Sequence, residues 1–79
     1  MPKGNKNIVG GRVKQARHAH EPPLTQDALS GRVAAQGVSL DRAAISKIEI
    51  GARGVLDYEL KALARALGVS SEWLLSGKR

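Results

Sequence analysis

The sequence contains no cysteine and no phenylalanine, and only one tryptophan and one tyrosine occur among its 79 residues. Without cysteine the chain can form neither a disulfide nor a thiolate zinc site, so an apolar core has to hold the fold. No apolar run approaches the length of a membrane span, and no signal-peptide core follows the N-terminus. So short a chain also has little interior for a deep catalytic pocket, which argues against an enzyme.

Aliphatic residues and positive charge are abundant instead. Ala, Leu, Val and Ile supply most of the apolar residues, a composition that favours closely packed helices. Thirteen Lys and Arg against seven Asp and Glu give a net charge of +6. A basic domain is attracted to polyanions, nucleic acid first, although the charge could equally serve solubility. Composition therefore predicts one helical domain and leaves its partner open.

Helix start and stop signals divide the chain into five helical segments, with no alternation typical of strands. Residues 1–7 are polar and basic and are predicted to form a flexible arm, and the domain itself is expected over residues 8–77. The predicted helices cover about 8–18, 26–36, 42–50, 58–67 and 71–76, and their expected caps are Asn7, Thr25, Asp41, Asp57 and Ser70. The fold class is therefore predicted to be all-α.

The third predicted helix, Arg42 to Ile50, has two distinct faces when its residues are placed about 100° apart. The apolar side carries Ala44, Ile45 and Ile48. The opposite side carries Arg42, Ala43, Ser46, Lys47 and Ile50. Small residues let a helix approach a surface closely, while Arg, Lys, Ser and Ala side chains can each contact base edges in DNA. This second side is consistent with reading DNA, and a solvated face is the alternative.

Four short motifs follow one another along the chain: Leu24-Thr25-Gln26, Ile45-Ser46-Lys47-Ile48-Glu49-x-Gly51, Leu60-x-x-Leu63-Ala64-x-x-Leu67-Gly68-Val69-Ser70 and Trp73-Leu74-Leu75. In this order they resemble the lambda-repressor and Cro-like (Xre) helix-turn-helix family, from about residue 8 to residue 77. The resemblance implies five helices, with the third in the major groove of double-stranded DNA. Between Gln26 and Ile45 the chain is about five residues longer than the compact motif, which predicts an extended turn.

The resemblance also implies roles for individual residues. Four match base-contacting positions: Arg42, Ala43, Ser46 and Lys47. Three lie where the family contacts phosphate, at the start of the second helix and in the loop after the third: Thr25, Gln26 and Arg53. Arg17 and Glu49 match positions that join the first and third helices by a structural ion pair. Ile50 stands where a polar residue is commoner, and it either meets a thymine methyl or packs against Leu56.

No catalytic, metal or cofactor site is predicted. His18 and His20 lie two residues apart, so they would face apart on a helix, and no third ligand accompanies them. Ser46 has no His or Asp placed to activate it. Trp73 falls between Val69 and Leu74, which occupy the two positions of a hydrophobic staple, and is therefore expected in the core.

The expected function is sequence-specific regulation of transcription, as a repressor that binds a partly palindromic DNA site as a weak homodimer. Leu56, Tyr58 and Leu75 are candidates for the dimer interface. An antitoxin-like protein, with a toxin as its main partner and autoregulatory DNA binding, is one alternative, and an adaptor that has lost DNA binding is another. Arg42 and Lys47 argue against the adaptor. Such a regulator is expected in the cytoplasm, associated with the nucleoid when bound to DNA, and not at a membrane.

Overall fold

The computed structural model describes residues 5–78, and within this range it contains helices and no strand. The five helices are α1 Gly10–Ala19, α2 Gln26–Ala35, α3 Arg42–Glu49, α4 Asp57–Leu67 and α5 Ser71–Ser76. The predicted all-α fold and its five helices are confirmed. The largest difference is at the start of α1, which begins at Gly10 rather than Ile8, and every other helix end lies within one residue of its predicted position.

Side-chain caps begin three of the helices. Thr25, Asp41 and Ser70 each accept a hydrogen bond from the backbone N–H three residues ahead, at 2.8–3.0 Å. The predicted cap of α4 is wrong, because Asp57 is already the first residue of that helix. Its start is held instead by Glu59, whose carboxylate accepts a hydrogen bond from the Leu56 N–H at 2.9 Å.

One apolar core lies between the five helices. Its largest fully buried side chains come from α1 to α5 and are Val13, Leu29, Val33, Ile45, Ile48, Leu63 and Leu74. The inner side of α3 was predicted to face this core, and Ile45 and Ile48 are indeed both 0% exposed. Trp73 is 7% exposed, which confirms its predicted place in the core.

The extended turn between α2 and α3 covers residues 36–41 and is anchored to the rest of the fold. Gly37 has φ of +82°, a left-handed conformation that glycine adopts without strain. Leu40 is 2% exposed and packs into the core, and the Ser30 hydroxyl donates to the Leu40 carbonyl at 2.7 Å. The additional residues therefore leave α3 firmly attached to α2.

The start of α1 lies directly against the end of α3. A Cβ atom on Gly10 would overlap the carbonyl oxygen of Ile48 and would lie 3.1 Å from the carbonyl oxygen of Glu49. Sequence alone indicates only that Gly10 weakens the first turn of its helix. In the structure the absence of a side chain allows two helix ends to meet.

The predicted flexible arm lies partly outside the described residues, since Met1–Gly4 precede the described range. The last two residues of that predicted segment contact the rest of the fold. The Lys6 N–H donates to the Gly51 carbonyl at 2.8 Å, and the Asn7 side chain bonds to both the end of α3 and the loop that follows it. Flexibility of the arm stays a prediction.

Candidate nucleic-acid interface

The outer face of α3, formed by Arg42, Ala43, Ser46 and Lys47, is open to solvent. Arg42, Ala43 and Lys47 are exposed and Ser46 is half-buried. Within residues 5–78 neither Arg42 nor Lys47 forms an ion pair with an acidic side chain. This face therefore presents two cationic side chains without acidic partners next to small residues. The opposite side of the helix is packed in the core.

A buried ion pair joins α1 to α3. The Nε of Arg17 donates to Glu49 Oε2 at 2.7 Å, and its Nη2 donates to Glu49 Oε1 at 3.0 Å. Both residues are 8% exposed, and the hydrogen bond to Glu49 raises the pKa of Arg17 above its ordinary value. The resemblance implies a pair between these two residues. Glu49 is the last residue of α3, and Arg17 reaches it from α1.

Two further bonds extend this pair to the start of α2. The Nη1 of Arg17 donates to the Leu24 carbonyl at 2.9 Å, and the Nε2 of Gln26 donates to Glu49 Oε1 at 3.1 Å. The polar network of Arg17, Glu49 and Gln26 therefore fixes the first residues of α2 relative to α3. Gln26 thereby braces the helix that carries the outer face.

The start of α2 and the start of α3 border one shallow depression. It is lined by Thr25, Gln26 and Arg42, together with Arg17 and the acidic Asp27. Free N–H groups at a helix N-terminus and a nearby cation both favour an anion. The predicted phosphate contacts Thr25 and Gln26 thus lie beside the predicted base contact Arg42.

Arg53 has a partner that the sequence did not reveal. Its Nη1 and Nη2 donate to the two carboxylate oxygens of Glu59 at 2.9 and 3.0 Å, and Nη1 also donates to the Gly54 carbonyl. Hydrogen bonding to Arg53 lowers the pKa of Glu59, which outweighs the opposing effect of burial. Arg53 is therefore engaged in closing the loop between α3 and α4, with 33% of its side chain exposed.

A family comparison agrees with this arrangement. A sequence model of the helix-turn-helix family matches residues 24–74, from just before α2 into α5. The chain belongs to the lambda-repressor-like (Xre) helix-turn-helix family. Searches of curated proteins and of solved structures returned no match. Because this family consists of DNA-binding regulatory domains, the protein is a DNA-binding regulator of the helix-turn-helix type.

Ile50, the C-cap of α3 in this helix-turn-helix protein, was predicted either to contact DNA or to pack against Leu56. Ile50 is 71% exposed and Leu56 is 54% exposed. Two apolar side chains that covered each other well would leave less surface in water. Ile50 and Leu56 therefore do not bury each other, and a contact of Ile50 with DNA stays a prediction.

The histidines and the described helices complete the features that were considered for a metal site or a membrane span. Within residues 5–78 no group of three or more His, Cys, Asp and Glu is placed to hold a metal ion. His18 is exposed, and the Nδ1 of His20 lies 3.0 Å from the Pro22 carbonyl oxygen. None of the helices described is both long and apolar enough to cross a membrane.

Proposed function

We propose that this protein regulates transcription by binding specific double-stranded DNA sequences with α3 in the major groove. The outer face of α3 is the observation that carries this proposal. Arg42 and Lys47 are exposed and unpaired, and Ala43 and Ser46 leave room for close approach. Arg and Lys recognise guanine O6 and N7, Ser bonds several base edges, and Ala contacts the thymine methyl.

Phosphate contacts on both sides of α3 complete the proposed DNA interface. The start of α2, with Thr25 and Gln26, contacts one backbone strand through its free N–H groups. The loop after α3 contacts the other strand, where Arg53 uses the guanidinium N–H groups that Glu59 and Gly54 leave available. Such contacts orient the protein on DNA, and the base contacts supply specificity.

Repression by a weak homodimer is the most specific part of the proposal. Three large apolar side chains on or before α4 and α5 are exposed, namely Leu56, Tyr58 and Leu75, at 54%, 55% and 44%. The longest extent of the domain is 31 Å, close to the roughly 34 Å between half-sites one turn apart. This similarity in size supports the proposal that two copies bind side by side on one face of the DNA. We place this action in the cytoplasm, at the nucleoid.

An antitoxin-like role is the second candidate, because the same exposed apolar residues would suit a toxin protein. In that case DNA binding is autoregulatory and the main complex is heteromeric. Size-exclusion chromatography of the protein co-expressed with the product of its neighbouring gene distinguishes the two candidate functions. A stable complex of the two chains supports the antitoxin, and separate elution supports the repressor.

Selection of bound duplexes from a random DNA pool tests the proposed function. We expect enrichment of a consensus with two related half-sites, because a symmetric dimer presents two copies of α3. A single half-site would retain sequence-specific binding but reject the dimer. A pool without enrichment after repeated rounds would reject sequence-specific binding altogether.

A further inference from the structure

The side chain of Asn7 forms four hydrogen bonds just before α1. Asn7 lies outside residues 24–74, which match the family model. Asn7 Nδ2 donates to the Ile48 carbonyl at 3.0 Å and to the Arg53 carbonyl at 2.7 Å. Its Oδ1 accepts from the backbone N–H of Val9 at 3.0 Å and of Gly10 at 2.7 Å. One amide thus ties the start of α1 to the end of α3 and to the following loop.

The neighbouring Lys6 is attached to the same region of the fold. The Lys6 backbone is fixed by its N–H, which donates to the Gly51 carbonyl at 2.8 Å. Its side chain is exposed and has no acidic partner among residues 5–78. The backbone of Lys6 is therefore ordered while its charge is free to meet a ligand.

Lys6 lines an open groove beside the outer face of α3. The groove has a volume of about 490 Å³, and Lys47 and Gly54 lie on its walls. Asp41 also lines the groove and keeps its negative charge while it accepts the Ala44 N–H at 2.8 Å as the cap of α3, and the cations that line the groove outnumber it. Lys6 and Lys47 give this groove two unpaired cations, and its size accommodates a phosphodiester group.

We propose that Lys6 binds a backbone phosphate of the DNA on the loop side of α3, and that Asn7 is the residue that positions it. This inference rests on the proposed function, because it needs α3 in the major groove. A helix in that groove has one sugar-phosphate strand on each side. The depression at Thr25 and Gln26 faces one strand, and the groove of Lys6 and Lys47 faces the other.

The anchoring explains why Lys6 is more effective than a lysine on an unattached arm. A contact from a free arm has to order the backbone as well as the side chain, and the lost conformational entropy of the backbone opposes binding. In the folded protein the hydrogen bonds of Asn7 and Gly51 already restrict the backbone at Lys6. Only the lysine side chain has to be ordered on DNA.

Salt dependence of binding to a duplex that carries one selected half-site, and therefore binds one copy of the protein, tests the phosphate contact. Lys6→Gln should reduce the slope of log K against log salt by about 0.9, the value for one lost phosphate contact. Lys61→Gln removes the same charge from α4, where the side chain lines a separate depression beside Gln36, and should leave the slope unchanged. A Lys6→Gln slope equal to that of the unmodified protein overturns the inference.

A second comparison tests the positioning role of Asn7. Asn7→Ser keeps a side-chain oxygen able to cap α1 but loses the amide donors to Ile48 and Arg53. In this background Lys6→Gln should change the salt slope by much less than 0.9, because Lys6 is no longer held in the groove. An equal change in both backgrounds overturns the role of Asn7, and thermal unfolding establishes that each variant is folded.

Failure of this inference differs from failure of the proposed function. If the unmodified protein selects a consensus and Lys6→Gln leaves the salt slope unchanged, only the Lys6 contact is wrong. If the unmodified protein binds all duplexes alike, α3 does not read bases, and both proposals are overturned.

Discussion

At the scale of single residues, the most consequential contact is the buried pair of Arg17 and Glu49. Burying two charges is costly, and such pairs contribute more reliably to a unique geometry than to stability. Here the geometry is that of α3, since Glu49 is its last residue and also accepts a hydrogen bond from Gln26. The pair therefore holds in place the helix that carries the proposed DNA-reading face.

Loss of Glu49 should be strongly destabilising. In Glu49→Ala the buried Arg17 loses its partner, and we expect a loss of about 3 kcal/mol in the free energy of unfolding, measured in urea. Glu21→Ala, at an exposed residue outside the helices, should change this free energy by less than about 0.5 kcal/mol. A double-mutant cycle with Arg17→Met that gives a coupling energy near zero would contradict the account.

The pair of Arg53 and Glu59 predicts a pH dependence of stability. Because Arg53 lowers the pKa of Glu59 in the folded protein, ionised Glu59 stabilises the fold above its ordinary pKa of 4.5. That contribution is lost as the pH falls through the folded-state pKa. Glu59→Gln should therefore be less stable than the unmodified protein at pH 7, by about 1–3 kcal/mol, and the difference should shrink below pH 4.5. A difference that is constant with pH would contradict this.

Residue roles were predictable from sequence where the signal is local. Thr25, Asp41 and Ser70 cap their helices because a hydroxyl or carboxylate reaches the N–H three residues ahead. The partners of Asn7 are 41 and 46 residues away along the chain, and no local pattern indicates them. The pairing of Arg53 with Glu59 was not predicted for the same reason, since it depends on how the loop folds back on α4.

At the scale of helices, the close approach of α1 and α3 gives a prediction with a matched control. Gly10→Ala should destabilise the fold by about 1–3 kcal/mol, because the new methyl meets the Ile48 backbone and forces the helices apart. Gly11→Ala should stabilise it by about 0.5–1 kcal/mol, because no atom lies within 4 Å of the new methyl and alanine favours helix. Thermal unfolding of both variants measures the difference, and equal shifts would contradict the close approach.

Periodicity predicted the two faces of α3 but not the ends of every helix. Ile45 and Ile48 recur at helical spacing, which is enough to place them inside and Arg42 and Lys47 outside. The start of α4 is held by the carboxylate of Glu59, which lies inside the helix. From residue type alone Asp57 was the expected cap, because Asp is common at that position. Helix ends are set by such competing hydrogen bonds, which an apolar pattern does not record.

At the scale of the whole molecule, the exposed apolar residues predict how two copies assemble. Tyr58→Ala or Leu56→Ala should weaken binding to a duplex with two half-sites and leave binding to a single half-site unchanged. We expect a small interface, below about 1,200 Å² in total, so free protein should sediment as a monomer at low concentration and as a dimer on DNA. A one-to-one complex on the two-half-site duplex at saturating protein would contradict the dimer.

The central claim is that the outer face of α3 reads bases, and the affinity ratio of Arg42→Ala for selected and scrambled duplexes tests it most directly. Both duplexes have the same length and composition and are measured at one salt concentration. We predict that Arg42→Ala loses about 1–3 kcal/mol on the selected duplex and much less on the scrambled one, while Arg65→Ala, an exposed arginine of α4, leaves the ratio unchanged. Equal losses by Arg42→Ala on both duplexes would show that Arg42 holds only the DNA backbone, and would contradict base reading by this face.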